Sequence, residues 1–356
     1  MPRVPFALLL CLSLTACTTS NLATRIERLV DEAVAAPIAE QRFAGVVLVA
    51  REGRPVFRKA YGMADRERNI AHTPATPFMV MSVSKQFTAA LIARLVVAGK
   101  LRLDDPVSKY LEHWPAEWND VQVRHLLAHS SGLDIDTTYF WLIRHHPEYW
   151  PEAGEPPKYE PRALLAQPGT KYLYANVGYT LLSRIAAKAG GRPFDDLVRD
   201  EVVRPLRLTD TVPERDGRRV PGRARGYKRT DAGLELEEQK TIDIIGAGDF
   251  VTTADDLARF DAAFDGDHFL PAPLRDAMLA PHIEGARSAS VGYGWFLRTT
   301  DGGHALQYHG GAGAGFRAFN SRMPKERLTV VVLSNVNENT SPWVLPLIDR
   351  IATVVR

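Results

Sequence analysis

The sequence predicts an α/β protein of the α+β type, in which an antiparallel sheet is flanked by helices and an inserted, mainly helical lobe interrupts the chain. Strand-like runs occur near both ends of the chain, at residues 46–50, 56–61 and 328–333. A chain of 356 residues with 45% hydrophobic content is long enough to bury a large core in more than one lobe. These observations together predict a sheet built from both ends of the chain.

The individual elements follow from the spacing of apolar residues. An N-terminal helix is indicated by apolar residues that share one helical face: Leu22, Ile26, Leu29, Val30 and Ala33. A hairpin around Glu52 and Gly53 follows, and the C-terminal part supplies strands at residues 293–297 and around Gly313, then a helix from about Trp343 to Val354. We therefore expect residues 22–90 and 246–356 to form the sheet-and-helix lobe, and residues 91–245 the inserted helical lobe.

The first motif that carries chemistry is Ser82-Val83-Ser84-Lys85. If Ser82 opens a helix, Lys85 lies on the same face and its amine reaches the Ser82 hydroxyl. A lysine among apolar neighbours loses its proton more easily, and the free N–H groups at a helix start can stabilise an oxyanion. The motif predicts a serine nucleophile, although one Ser-x-x-Lys match is expected about once by chance in a chain of this length.

The second motif, Tyr174-Ala175-Asn176, places two polar side chains on the same side of a loop or short extended stretch. The phenol can carry a proton to a leaving group, and the amide can hold the lysine or a substrate carbonyl. The alternative is a core tyrosine whose hydroxyl is satisfied by a neighbour.

The third motif, His309-Gly310-Gly311, lies between two strand-like runs. Glycines beside a strand let a substrate backbone approach closely, and the N–H of Ala312 can serve as an oxyanion donor. The alternative is a glycine-rich hairpin turn without chemistry.

In this order the motifs resemble the serine β-lactamase and penicillin-binding protein superfamily, on the branch that groups class C β-lactamases with esterases and D-amino-acid peptidases. The segments that carry the resemblance are residues 78–89, 103–111, 126–133, 168–179, 246–260 and 309–316. The resemblance implies a β-lactamase/transpeptidase-like fold and a serine hydrolase that needs no cofactor.

Carried over by position, the resemblance also implies roles for residues. Ser82 would be the acylated nucleophile and Lys85 its partner, and Tyr174 the general acid and base. Asn176 corresponds to the amide of the second motif and His309 to the first position of the third. The oxyanion hole would be formed by the backbone N–H groups of Ser82 and Ala312.

One departure from the family pattern bears on the substrate. Class C β-lactamases carry a lysine where this chain has His309, so binding of a substrate carboxylate is expected to be weaker and pH-dependent. Arg317 either replaces the missing charge or faces solvent, and Gly310, Gly311 and Arg317 are candidate substrate-binding residues. We therefore expect hydrolysis of esters or of D-amino-acid and cell-wall peptides. The alternatives are a penicillin-binding or sensing lipoprotein with little turnover, or a true β-lactamase.

The first residues predict export. Arg3 precedes an apolar run at residues 4–12 that is too short to span a membrane, and Leu14-Thr15-Ala16-Cys17 resembles a lipoprotein lipobox. The prediction is a signal peptide at residues 1–16 and a lipid on Cys17, which would anchor the protein in the bacterial cell envelope, facing the periplasm. An ordinary signal peptide cleaved nearby and a cytosolic start are the alternatives.

Other candidates have weaker support. The net charge of +2 does not resemble that of a nucleic-acid-binding protein, so the expected partners are a small-molecule or peptide substrate and the membrane. Adjacent His145 and His146, with Glu148, do not converge on a helix, so no metal is expected. The aromatic segment 134–157 is either local packing or a lid over an acyl-group pocket. His129, with Ser130 and Ser131, is interpreted as a structural helix end, and the oligomeric state is left open.

Overall fold

The computed structural model describes residues 7–145, 160–214, 220–237, 244–286 and 288–355, with side chains from residue 21 onward. The helices within these residues are α1 (Ala7–Ala39), α2 (Ser84–Val97), α3 (Val123–Leu127), α4 (Ile135–His145), α5 (Asn176–Gly190), α6 (Phe194–Val198), α7 (Ala254–Ala262), α8 (Ala272–Met278) and α9 (Ser341–Val355). Short 3-10 turns occur at Met81–Val83, Val107–Lys109 and Ala116–Trp118, and a π-helical turn at Arg199–Val203.

The strands form one large and three small antiparallel sheets. Their bounds are β1 (Gly45–Arg51), β2 (Arg54–Tyr61), β3 (Met63–Asp65), β4 (Ile70–Ala71), β5 (Phe78–Met79), β6 (Val212–Pro213), β7 (Tyr227–Thr230), β8 (Gly233–Leu236), β9 (Phe250–Thr252), β10 (Ile283–Glu284), β11 (Ser290–Val291), β12 (Phe296–Thr299), β13 (Ala305–Gly313), β14 (Phe316–Met323) and β15 (Leu328–Ser334).

The large sheet joins the two ends of the chain. Its eight strands run in the order β10-β11-β12-β13-β14-β15-β1-β2, so β1 lies between its hairpin partner β2 and the late strand β15. Leu48 in β1 is opposite Val331 in β15 and Arg58 in β2. The predicted antiparallel sheet flanked by helices is therefore confirmed.

Both faces of the large sheet are covered, which explains why its central strands are almost continuously apolar. Val46 and Leu48 point into a core shared with α2, α5 and α7, whereas Val47 and Val49 point into a second core with α1 and α9. The predicted apolar face of α1 packs in this second core, with Ile26 and Val30 fully buried. The sheet is thus a rigid platform between two helical layers.

Helix α2 crosses the first core and is apolar on nearly every side. Phe87, Leu91 and Leu95 are buried, and α2 ends before Gly99, which has the left-handed conformation typical of a helix stop. The helix begins at Ser84 rather than at Ser82, because Ser82 lies in the preceding 3-10 turn. Ser82 is therefore held in the turn that leads directly into a buried helix.

The middle of the chain mixes helices with short strands. Residues 91–245 include α3, α4, α5 and α6, but β6 pairs with β9, and the hairpin of β7 and β8 also lies in this segment. The N–H of Tyr227 in β7 donates to the carbonyl of Asn335, beyond the end of β15. The division of the chain into two lobes stays a prediction.

The predicted signal peptide overlaps α1. Residues 1–6 lie outside the described residues, and Cys17 lies in the part of α1 whose side chains are not described. None of the helices in the described ranges is both long and apolar enough to cross a membrane.

We expect the α9 layer to contribute strongly to stability. Ile348→Ala removes a side chain with 0% exposure, so the free energy of unfolding should fall by about 2–5 kcal/mol. Ile70→Ala is the matched control, because Ile70 is 49% exposed, and its change should stay below about 0.5 kcal/mol. Urea unfolding followed by circular dichroism measures both, and equal losses would contradict the packing of α9.

Candidate active site

Ser82 lies where the 3-10 turn after β5 meets β13. Met81 in this turn has a φ of 50°, which is strained for a residue with a side chain. Strand β13 passes so close that a Cβ atom on Gly311 would lie 2.1 Å from the carbonyl oxygen of Val80. The glycine at 311 is therefore required for the third motif to lie beside the Ser82 turn.

The Lys85 amine joins three parts of the chain. Its Nζ lies 3.1 Å from Ser82 Oγ, 2.8 Å from Asn176 Oδ1 and 2.7 Å from the carbonyl oxygen of Ala247. The oxygens of Asn176 and Ala247 only accept, so each takes one N–H of the amine. A neutral amine has two N–H groups and one lone pair, and that lone pair is then directed at Ser82. The geometry therefore suits Lys85 as the base that removes the Ser82 proton.

Burial favours the neutral amine. Lys85 is 0% exposed, and this burial lowers the pKa of its amine well below the ordinary value, while the charge of Asp249 opposes the shift. The rings of Tyr174 and Tyr179, 5.0 Å and 5.6 Å from Nζ, provide some stabilisation of the charged form. The surroundings of Lys85 therefore allow its amine both to lose and to regain a proton.

Tyr174 also contacts Ser82. Its hydroxyl donates to Ser82 Oγ at 2.8 Å, and burial raises the pKa of the phenol, so it is protonated near neutral pH. Tyr174 precedes α5 in an irregular segment, whereas Asn176 is the first residue of α5. The expected loop is therefore a loop-to-helix junction, and both polar side chains reach the Ser82–Lys85 pair.

His129 supports this junction. Its Nδ1 accepts the Ala175 N–H at 3.2 Å, and its ring centroid lies 4.3 Å from that of Tyr174. Burial lowers the pKa of His129 well below its ordinary value, so the ring is neutral. His129 therefore packs beneath Tyr174, at the helix end that the sequence indicated.

The third motif lies within strand β13 rather than in a turn. The turn comes later, at Ala314 and Gly315, and β13 pairs with both β12 and β14. His309 Nδ1 donates to the carbonyl oxygen of Gly310 at 2.7 Å, because a carbonyl only accepts; the neutral ring therefore carries its lone pair on Nε2. Burial and the nearby Lys85 lower the pKa of His309 to about 3. The expected pH-dependent charge of His309 near neutrality is therefore not supported.

The cleft beside Ser82 has a volume of about 560 Å³. It is lined by Ser82, Tyr172, Tyr174, Asn176, Ala286, Phe296, Arg298, Tyr308, His309, Gly310, Gly311, Ala312, Arg317, Ala318, Phe319, Asn339, Thr340, Ser341 and Leu345. A second cavity of about 330 Å³ is also lined by Ser82, together with Glu237, Ile244 and Ala312. Ser82 therefore borders two cavities.

Arg317 lines the larger cleft instead of facing solvent fully. It is half-buried in β14 opposite Ala312, and its Nε is buried without a hydrogen-bond partner among the described residues. Burial lowers the pKa of its guanidinium, and Glu338 opposes the shift. The cleft thus contains a cation, although not at position 309.

Sequence reasoning missed Asp249 and the carbonyl of Ala247. Both lie in segment 246–260, which carried part of the family resemblance, and Asp249 is fully buried. The signal available in the sequence was a charged residue, Asp249, between a glycine-rich stretch and an apolar one. A contact made by a backbone carbonyl leaves no trace in residue identity.

The remaining candidates do not join the site. Trp141 is fully buried and its indole N–H donates to the carbonyl oxygen of His113 at 3.0 Å, which is core packing rather than a lid. The His145 ring stacks on His113 with centroids 5.1 Å apart. His146, Glu148, Tyr149 and Trp150 lie outside the described residues. Among the residues that are described, no cluster suited to a metal ion occurs.

The fold is shared with solved structures. An octameric penicillin-binding protein homologue from Pyrococcus abyssi superposes with a TM-score of 0.76 at 24% identity, covering 91% of this chain and 77% of that one. EstCE1, described as a hydrolase with promiscuous acyltransferase activity, superposes with a TM-score of 0.74 at 21% identity, covering 95% and 99%. At these sequence identities, the similarity shows a shared fold and nothing more.

Sequence comparison identifies the family. The chain is 27% identical to penicillin-binding protein 4* of Bacillus subtilis over 320 residues, which cover 85% of this chain and 70% of that protein. The family model described as Beta-lactamase matches residues 26–347, which include all three motifs. The chain therefore belongs to the β-lactamase family.

Proposed function

We propose that the protein is a serine hydrolase that acts through an acyl-enzyme on Ser82. The observation that carries the proposal is the position of Ser82 Oγ, 3.1 Å from the Lys85 amine and 2.8 Å from the Tyr174 hydroxyl. A base and a proton donor within hydrogen-bond distance of one hydroxyl are the components that nucleophilic catalysis needs.

In acylation, the Ser82 proton passes to the lone pair of Lys85 while Oγ bonds to the substrate carbonyl carbon. The carbonyl oxygen becomes an oxyanion, which the N–H groups of Ser82 and Ala312 would stabilise; losing such a donor typically costs about 100- to 1000-fold in rate. The tetrahedral intermediate then expels the leaving group, which takes a proton from Tyr174, and the phenol regains a proton from Lys85. Attack by water reverses these transfers, releases the acid and restores Ser82.

The proposed substrates are esters or D-amino-acid and cell-wall peptides. A neutral His309 does not offer a β-lactam carboxylate the permanent cation of the class C enzymes, which argues against antibiotic hydrolysis. The description of EstCE1, a fold neighbour, as a hydrolase with promiscuous acyltransferase activity is consistent with hydrolysis as the reaction type. A penicillin-binding protein that acylates with little turnover, and a true β-lactamase, are the competing functions.

The predicted location remains part of the proposal. Export and lipidation of Cys17 would place the site at the cell envelope, where cell-wall peptides are available. Cleavage before Cys17 would release residues 1–16 and keep the family domain at residues 26–347 intact.

Ser82→Ala should abolish labelling by a fluorophosphonate probe, because the probe phosphonylates an activated serine. Ser131→Ala is the matched control: Ser131 is also buried, but its Oγ accepts the Leu133 N–H instead of contacting Lys85 and Tyr174, and labelling should persist. Gel fluorescence and intact mass measure both. A folded wild type that is not labelled contradicts the enzyme proposal, and a labelled Ser82→Ala places the nucleophile elsewhere.

Arg317→Ala should raise KM for substrates with a carboxylate by roughly 10- to 100-fold, because a charge-assisted hydrogen bond is lost. Hydrolysis of neutral short-chain nitrophenyl esters should be unchanged. D-alanyl peptides, nitrocefin and these esters are compared on one sample, with the exposed Arg102→Ala as the control. Equal losses on neutral and carboxylate substrates would contradict a charge-specific role, and dominant nitrocefin turnover would contradict the substrate proposal.

His309 should stay neutral between about pH 5 and pH 8, because burial opposes its protonation. The ¹⁵N shifts of labelled histidine, assigned by comparison with His309→Gln, should report the Nδ1–H tautomer throughout this range. The folded pKa lies below the unfolded one, so the associated stability is present above about pH 6.5 and is lost as the pH falls towards 3. A titration midpoint above pH 6 would refute this assignment.

A further inference from the structure

The segment from Gly246 to Phe250 wraps around the first turn of α2. The carbonyl oxygen of Ala247 accepts from Lys85 Nζ, that of Gly246 accepts from Thr88 Oγ1 at 2.6 Å, and the Phe250 N–H donates to Ser84 Oγ at 3.1 Å. These contacts bind three polar side chains, at positions 84, 85 and 88, in the first two turns of α2. The path of this segment therefore determines where the Ala247 carbonyl meets the Lys85 amine.

Asp249 closes this segment into a turn. Its Oδ1 accepts the Gly246 N–H at 2.8 Å, across the two residues that include Ala247, and its own carbonyl accepts the Glu214 N–H at 2.7 Å. The residue is 0% exposed. A carboxylate in such a place is costly unless hydrogen bonds and an opposite charge compensate it.

The surroundings of Lys85 identify the compensating charge. The groups that face the amine are the rings of Tyr174 and Tyr179, the imidazoles of His129 and His309, and the carboxyl of Asp249. Burial keeps both tyrosines protonated and both histidines neutral. Among these groups in the described structure, Asp249 is the one that brings a negative charge to Lys85.

We infer that Asp249 is a positioning residue for catalysis: its carboxylate is the counter-charge of Lys85 and also holds the Ala247 carbonyl against the amine. This inference rests on the proposed function, in which Lys85 accepts the Ser82 proton. The charge of Asp249 raises the pKa of the Lys85 amine against the effect of burial, which favours the amine as a base. In this proposal Asp249 acts through Lys85 and the Ala247 carbonyl rather than on the substrate.

Substitutions at Asp249 can separate the effect of its charge from its role in closing the turn. Asp249→Asn keeps an oxygen that accepts the Gly246 N–H but removes the charge, so Lys85 should lose its proton at a lower pH. Because the neutral amine is the active form, the acidic limb of the rate profile should move to lower pH by about one unit, a tenfold change in the amine equilibrium. Asp249→Glu keeps the charge and should leave the limb close to that of the wild type.

The experiment measures the rate of fluorophosphonate labelling against pH for wild type, Asp249→Asn and Asp249→Glu. Asp256→Asn is the matched control, because Asp256 is also a buried carboxylate of this region but bonds to Thr211 and Arg259. The acidic limb of the rate profile of Asp256→Asn should not move. A lower rate with an unmoved limb in Asp249→Asn would show a merely structural role and overturn the inference.

A reciprocal measurement covers the case in which Asp249→Asn does not fold. If the two charges are coupled, Lys85→Gln must raise the pKa of the Asp249 carboxyl by the amount that Asp249 raises that of Lys85. The ¹³C shift of the labelled aspartate carboxyl, wild type against Lys85→Gln, measures this, and an identical titration overturns the inference. A wild type that is never labelled defeats the proposed function instead, so the two failures are distinguishable.

Discussion

Burial of the Lys85 amine is the constraint on which the rest of the site depends. An amine in the interior must find acceptors for its N–H groups, and here they come from positions 91 and 162 residues away, Asn176 and Ala247. The same burial weakens the hold of Lys85 on its proton. Burial of the Lys85 amine therefore constrains where α5 begins, how residues 246–250 run and how basic the amine is.

The large sheet makes this burial possible. Both of its faces are covered by helices, so α2 lies in a dry core and β13 can pass against the turn that holds Ser82. The same packing removes water from around His309 and keeps its ring neutral. Stability and catalysis thus share one framework, and a change in the packing of α2 would affect the charge state of the site as well as its geometry.

The framework around Ser82 occurs in proteins whose descriptions differ. Relatives described as penicillin-binding proteins and a fold neighbour described as a hydrolase share this framework, which is expected when function depends on the pocket rather than on the fold. In this chain the larger cleft combines aromatic walls with Arg317 in β14, opposite a neutral His309. The arginines that line this cleft, Arg298 in β12 and Arg317 in β14, therefore lie in the two strands that flank the third motif.

Residue spacing alone predicted the central strands of the sheet, the apolar face of α1, the presence of the C-terminal helix and the three motifs, because periodicity and residue type are local properties. Tertiary structure decided that α2 begins at Ser84, that His309 lies in a strand with a depressed pKa, and that Arg317 lines the cleft. It also brought Asp249 and the Ala247 carbonyl to Lys85. Desolvation and contacts between distant segments set these features, and neither is encoded in the spacing of residues along the chain.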